Sequence, residues 1–156
     1  RSGEIDGVDY IFLDESTFLE MKDRNDFVEC AQVYGRWYGV PRSQVTSGLE
    51  AGKDVILKLD VQGADTVRKI APTALFIFMV PGSFKELRDR LAQRMTESTP
   101  EMELRLKAAS DELKQAVHFD RQVVNSKDNL SQAVSDIDAT ISAEKQRTGR
   151  TPIQLL

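Results

Sequence analysis

Residues 54–80, DVILKLDVQGADTVRKIAPTALFIFMV, decide the fold of this chain. Residues 54–60 are predicted to form a strand that ends in a carboxylate, and residues 63–70 a short helix that Pro72 ends. Residues 74–80 are continuously apolar, which is typical of a strand covered on both faces. A strand, a helix and a second strand in this order predict an α/β fold with a mainly parallel sheet.

Signals on both sides of this stretch continue the alternation of helices and strands. Asp14 is placed to cap one helix, and Pro41 to open another that Gly52 ends. The predicted upstream elements are a helix over residues 15–22, a strand over 27–34 and a helix from 41 to about 51. The predicted downstream elements are a helix marked by Phe84, Leu87 and Leu91, a helix opened by Thr99 and Pro100, a strand over 122–124 and a last helix from about 128.

Composition limits the classes of function that this chain can serve. Its 156 residues are enough for one domain, and a net charge of −4 argues against nucleic acid or an anionic membrane as the main partner. Cys30 and His118 are each the only residue of their type, which excludes an internal disulfide and a Cys/His metal cage. No apolar run is long enough to span a bilayer, and we see no signal peptide, so we expect a cytoplasmic protein.

Four motifs carry a resemblance to one family. They are RSGEIDGVDY at residues 1–10, FVE at 27–29, YGRWYG at 34–39 and DVQG at 60–63. As a set they resemble the guanylate kinases, which transfer a phosphoryl group from ATP to GMP. The resemblance covers nearly all of residues 1–140 and implies a P-loop-kinase-like parallel sheet flanked by helices, with a small GMP-binding subdomain and a helical lid. It implies one domain, with residues 1–43 binding GMP, 44–83 in the core, 84–112 as the lid, and 113–156 as further core and C-terminal helix.

Recognition of guanine is expected at Glu29. Guanine presents N1–H and the 2-amino group as adjacent donors, and one carboxylate can accept from both. In the family that this chain resembles, a glutamate at the position of Glu29 holds that edge of the base. The alternative from the residues alone is a solvated carboxylate on a strand.

The GMP phosphate is expected to contact three further side chains. The resemblance implies that Arg1, Tyr10 and Tyr38 hold it, because they match an arginine and two tyrosines of the family's motifs. The alternative for Tyr10 and Tyr38 is that they are half-buried strand aromatics with solvated hydroxyl groups.

Three arginines are expected to act in phosphoryl transfer, which needs positive charge around the transferred group. The resemblance implies this role for Arg90, Arg94 and Arg105, and Arg90 and Arg94 share one helix face by their spacing. Each could instead be a surface charge or a helix partner, as Arg90 could be for Glu86. The resemblance also places Asp60 near the water shell of the Mg²⁺ that accompanies ATP, and its alternative is a cap for the following helix.

The chain departs from the family at several points. Residues 48–54 are one residue short of a phosphate-binding loop and lack its hydroxyl, so no such loop is expected in this chain. Val40 replaces a hydroxyl residue, at an expected cost of about 0.5–1.5 kcal/mol in GMP binding. Lys58 stands at a commonly acidic position, and Met95 where glycine is usual. Because Arg1 opens the chain inside a motif, we expect these residues to be part of a longer enzyme and to turn over negligibly alone.

Two other functions compete with the kinase. Guanylate-kinase-like domains of scaffold proteins keep the fold, lose catalysis and bind phosphorylated peptides, so a binding module for GMP or such peptides is the main alternative. The shared pattern could also be scaffold without any ligand. Glu29→Ala separates this last case, because a scaffold without a ligand site would not lose affinity for GMP.

Overall fold

The computed structural model describes residues 3–33, 35–93 and 99–155, so Arg1 and Arg94 lie outside the described residues. The chain divides into two compact units. One contains the residues up to Pro72 together with those from Ile153 onward, and the other is Thr73–Pro152. We describe each unit by itself.

The first unit is built on an antiparallel hairpin. Its elements are helix α1 (Glu15–Asp23), strands β1 (Phe27–Val33) and β2 (Arg36–Pro41), and helices α2 (Arg42–Glu50) and α3 (Val61–Ile70). Helices α1, α2 and α3 all pack against β1. The buried apolar side chains of this unit are Phe18, Phe27, Val28, Val45, Ala64, Val67 and Ala71.

A bulge in β1 determines which side chains lie on each face of the hairpin. Phe27 pairs with Pro41 and Glu29 pairs with Val40, which leaves Val28 as an extra residue in the ladder. The α1 face therefore consists of Phe27, Cys30, Gln32, Trp37, Gly39 and Pro41. The opposite face, which we call the Glu29 face, consists of Glu29, Ala31, Val33, Arg36, Tyr38 and Val40.

Aromatic packing fixes the α1 face of the hairpin. The ring of Phe18 from α1 stacks on Phe27 at 4.5 Å between centroids and on Trp37 at 5.6 Å. The Nζ atom of Lys22 lies 4.3 Å from the centre of the Trp37 ring, within the range of a cation–π contact. Asp14 caps α1 as predicted, since its carboxylate accepts from the backbone N–H of Thr17 at 2.8 Å. These contacts make the hairpin a fixed platform for its other face.

The second unit has a parallel pair of strands. Its elements are β3 (Ile77–Pro81), α4 (Phe84–Gln93), α5 (Thr99–Lys114), a short 3-10 helix (Gln115–His118), β4 (Arg121–Asn125) and α6 (Leu130–Gln146). Strands β3 and β4 run parallel from the Ile77–Arg121 pair to the Pro81–Asn125 pair. The predicted parallel pairing is therefore present. Among the residues that the structure describes, no helix combines the length and the apolar character needed to cross a membrane.

The predicted strands differ from the structure at two points. Residues 54–60 belong to no strand ladder, although their burial alternates as in a strand, with Val55, Leu57 and Leu59 half-buried. Hydrophobic alternation indicates which side chains are buried, whereas a strand also needs a hydrogen-bonded neighbour. The second is β2, which was not predicted as an element because its sequence RWYGVP has no clear period of two.

Candidate functional site

The Glu29 face of the hairpin brings two of the predicted site residues together. Glu29 lies directly across the ladder from Val40, and Tyr38 lies across from Ala31. Glu29 and Tyr38 are therefore diagonal neighbours on one face, a relation that spans about 7–8 Å between strands. The small side chain of Ala31 adds little bulk between them, so a flat ligand of the size of a base could lie on this face.

Glu29 also lies against the beginning of α3. A Cβ atom at Gly63 would come 3.3 Å from Cδ of Glu29 and 3.3 Å from Oδ1 of Asp60. Asp60 is the N-cap of α3, and its Oδ1 accepts from the backbone N–H of Gly63 at 2.7 Å. The alternative role of Asp60, as the cap of the following helix, is therefore confirmed. The cap also places a second carboxylate near Glu29.

The surroundings of Glu29 change its acid–base behaviour. Partial burial, and secondarily the negative charge of Asp60, raise the pKa of Glu29. Burial penalises an ion without a partner, and this carboxylate would regain favourable interactions if a ligand offered it N–H donors. The site is therefore suited to a ligand with adjacent donors.

Tyr10 is held by a loop that its own motif organises. Asp9 accepts from the backbone N–H of Ile5 at 2.8 Å, and Asp6 accepts from that of Phe12 at 2.7 Å. The two aspartates of the GEIDGVDY sequence are therefore structural, and sequence reasoning gave them no role. The turn signal Asp-Gly at residues 6–7 could have indicated it.

The rings of Tyr10 and Tyr38 meet edge to face. Their centroids are 5.9 Å apart, and the side chains are 41% and 42% exposed. Two phenol groups from different segments thus converge next to the Glu29 face. The structure brings Tyr10, Glu29, Tyr38 and Asp60 into one region of the first unit.

Of the predicted lid arginines, two are described, and both lie in the second unit. Arg90 donates to Glu86 and, at 2.7 Å, to the backbone carbonyl of Asn125 at the end of β4. Arg90 therefore pairs with Glu86, the helix partner that was predicted as the alternative to a catalytic role. Arg105 lies in α5 and is half-buried.

Sequence reasoning missed an open cleft in the second unit. Its volume is about 590 Å³, and it is lined by Ser83, Lys85, Glu86, Asp89, Arg90, Ala92, Lys127 and Asp128. It lies beside the carboxyl ends of the parallel strands β3 and β4, the edge where ligands of such sheets bind. A side chain at Gly82 would come 2.9 Å from Cβ of Ser126, so this glycine lets the two strand ends approach closely. The Pro81-Gly82 turn signal could have pointed to this edge.

Comparisons with known proteins point to one family. The family model described as guanylate kinase matches residues 1–144. The guanylate kinase of Clostridioides difficile is 36% identical over 150 residues, which are 96% of this chain and 72% of that protein. The guanylate kinase of Thermus thermophilus is 43% identical over 150 residues, 96% of this chain and 67% of that protein.

A solved structure extends the likeness to three dimensions. The crystal structure of guanylate kinase from Anaplasma phagocytophilum matches with a TM-score of 0.79 and 30% identity, covering 96% of this chain and 72% of that one. The predicted α/β fold, with a parallel sheet and flanking helices of the P-loop-kinase kind, is thereby confirmed. On the match of the family model and on these identities, the chain belongs to the guanylate kinase family.

Proposed function

We propose that this chain serves guanylate kinase activity, the transfer of the γ-phosphoryl group of ATP to GMP to give ADP and GDP. One observation carries the proposal to particular residues: Tyr10, Glu29, Tyr38 and Asp60 lie together in one unit, although they come from four segments of the sequence. The proposal also accords with the relatives, which are named guanylate kinases.

Glu29 is proposed to select guanine. Its two carboxylate oxygens accept from N1–H and from the 2-amino group of the base, which adenine does not offer in that arrangement. The raised pKa of Glu29 supports this role, because donors on the base would stabilise the ionised form that the protein alone disfavours. Val40, directly opposite, provides only methyl groups beside the base.

The GMP phosphate is proposed to bind at the pair of tyrosines. The hydroxyl groups of Tyr10 and Tyr38 can both donate to phosphate oxygens, and their rings already hold each other at 5.9 Å. Arg1, which lies outside the described residues, is proposed to add the positive charge. Binding at two ends fixes the nucleotide, so that the phosphate oxygen is held for in-line attack on the γ-phosphorus.

Arg90, Arg94 and Arg105 are proposed to neutralise the charge of the transferred group. Arg90 lines the cleft at the strand ends of the second unit, where its guanidinium is held by Glu86 and Asn125. When bound with ATP, Mg²⁺ would neutralise phosphate charge. Within the described ranges no group of three or more His, Cys, Asp or Glu side chains could hold a metal, which accords with an ion held by phosphates and water. Asp60 is proposed to face that water shell.

Among the partners, we propose GMP and ATP, and neither nucleic acid nor membrane, in line with the net charge of −4. A cytoplasmic location is proposed with them, because a lone cysteine fits a reducing compartment. The division into a GMP-binding region at residues 1–43, a core and a lid at 84–112 also stays a proposal. No observation favours the peptide-binding module.

Calorimetric titration tests the proposed base recognition. The ligands are GMP, AMP and inosine monophosphate (IMP), which keeps N1–H but lacks the 2-amino group. We expect GMP to bind about 10-fold or more tightly than IMP, because a hydrogen bond to a charged group contributes about 1.5–3 kcal/mol. Glu29→Ala should remove this preference.

A charge-matched control is Glu20→Ala. Glu20 lies on α1, its side chain is 73% exposed, and its removal changes the net charge by the same amount. This variant should keep the preference for GMP. Equal affinity of the unmodified protein for GMP and AMP would contradict the proposal, and tighter binding of a phosphoserine peptide than of GMP would favour the binding module.

A further inference from the structure

We infer that Gly63 is a positioning residue for guanine recognition, because the absence of a side chain there lets the Glu29 carboxylate lie against the first turn of α3. The inference rests on the proposed role of Glu29. Gly63 has no side chain with which to contact the base, yet it would affect which base is bound.

The space around Gly63 is already full. A Cβ atom there would lie 3.2 Å from Cβ of Leu59, 3.3 Å from Oδ1 of Asp60 and 3.3 Å from Cδ of Glu29. Carbon atoms in good contact are about 3.5–4.0 Å apart, so a methyl group would force one of these neighbours to move by a few tenths of an ångström. Gly63 is itself buried, which leaves the methyl group no route to solvent.

Of the three neighbours, Glu29 is the one that can move at least cost. Cβ of Leu59 is attached directly to the backbone before the helix, and Oδ1 of Asp60 is held by the capping hydrogen bond of 2.7 Å from the N–H of Gly63. The Glu29 carboxylate is the end of a side chain with three rotatable bonds. A methyl group at residue 63 is therefore expected to displace that carboxylate and leave the helix in place.

Displacement of the Glu29 carboxylate would reduce the preference for GMP over IMP before it abolished the binding of GMP. Two parallel N–H···O bonds require both oxygens at about 2.7–3.2 Å from their donors, so a shift of a few tenths of an ångström weakens the pair. GMP would then lose part of the advantage that the second bond gives it over IMP. The ratio of the two dissociation constants thus reports the position of the carboxylate.

The experiment measures Kd for GMP and IMP by calorimetry for the unmodified chain, Gly63→Ala, Glu29→Ala and the double variant. We expect Gly63→Ala to lower the Kd(IMP)/Kd(GMP) ratio at least threefold while its circular dichroism is unchanged. In the Glu29→Ala background the same substitution should leave the ratio unchanged, because the residue through which it acts is gone.

Gly48→Ala is the matched control in the same unit. A Cβ atom there would lie 2.7 Å from Cγ2 of Val55, a closer approach than at Gly63 but to an apolar side chain. It should lower the urea midpoint and keep the GMP/IMP ratio. A general disturbance of packing would change both variants alike and would overturn the inference.

The outcomes separate this inference from the proposed function. If Glu29→Ala removes the preference for GMP and Gly63→Ala does not reduce it, the inference is wrong and the function stands. If Glu29→Ala has no effect on the preference for GMP, the proposed recognition of guanine by Glu29 is wrong, and the inference about Gly63 is wrong with it. If Gly63→Ala does not fold, folding of the double variant would support a clash with Glu29, and failure of the double variant would overturn it by locating the clash at Leu59 or Asp60.

Discussion

Gly39→Ala should destabilise the first unit through the aromatic cluster under the hairpin. A Cβ atom at Gly39 would lie 2.7 Å and 2.9 Å from Cδ1 and Cε1 of Phe27 and 3.1 Å from Cζ of Phe18. The two rings are only 8% and 7% exposed and stack at 4.5 Å, so neither can retreat into solvent. The methyl group must push β2 away from α1 or force a ring out of its rotamer.

The expected cost follows from this overpacking. Extra methyl groups in a well-packed core cost about 1–3 kcal/mol. The assay is urea unfolding followed by tryptophan fluorescence, because Trp37 is the only tryptophan and stacks on Phe18 in the same cluster. At an m-value of about 2 kcal/mol per molar, the midpoint should fall by roughly 0.5–1.5 M.

A second substitution tests whether the ring of Phe27 is the cause. Phe27→Leu replaces the rigid ring with a shorter, flexible side chain that lacks Cε1, so Gly39→Ala should cost less in that background. Coupling between residues in contact is typically about 0.5–3 kcal/mol. An unchanged midpoint in Gly39→Ala, or the same loss with Leu at residue 27, would refute the reasoning.

Four further predictions concern single side chains. Partial burial and a neighbouring aspartate raise the pKa of Glu29. On acidification, GMP affinity should therefore begin to fall at a higher pH than it would with an ordinary glutamate, whose pKa is near 4.5. Glu29→Gln should flatten this pH profile in calorimetry. Because the fold favours the neutral form, the stability contributed by Glu29 is lost as the pH rises through its raised pKa, and Glu29→Gln at pH 7 should not lower the urea midpoint. Val40→Thr should tighten GMP binding about 2- to 10-fold by supplying a hydroxyl group beside the base, whereas Val40→Ala should not. Arg90→Ala should destabilise the second unit by about 1–3 kcal/mol, measured by circular dichroism in urea, because the carbonyl of Asn125 loses its donor at 2.7 Å, and an unchanged midpoint would contradict this.

Helices were predictable because their signals are local. The Asp14 cap, the helix that follows Pro41 and the one opened by Thr99 occur within one or two residues of the predicted bounds. A cap needs only its own side chain and the next turn of backbone. Residues 54–60 show the opposite case, since their alternating burial follows from the sequence but strand pairing depends on a neighbour elsewhere in the chain.

The sequence suggests which residue types form the proposed site, but it does not give the contacts that position them. Glu29 and Tyr38 follow from motifs whose residue types match the donors and acceptors of GMP. The place of Val40 opposite Glu29 depends on the register of the hairpin. The closeness of Gly63 to Glu29 depends on how α3 packs against β1, which no pattern within either element encodes.

The bulge at Val28 reconciles the stability of β1 with the role proposed for Glu29. In a regular strand, residues two apart share a face, so burying Phe27 against α1 would carry Glu29 into the same aromatic cluster. An ionised carboxylate there would lack donors and would be strongly disfavoured. The extra residue instead turns Phe27 toward α1 and leaves Glu29 on the opposite face, beside Tyr38. The anchor of the hairpin and the residue proposed to select the base can therefore stand two positions apart in one strand, so that the motif FVE combines a buried ring with an acid on the opposite face.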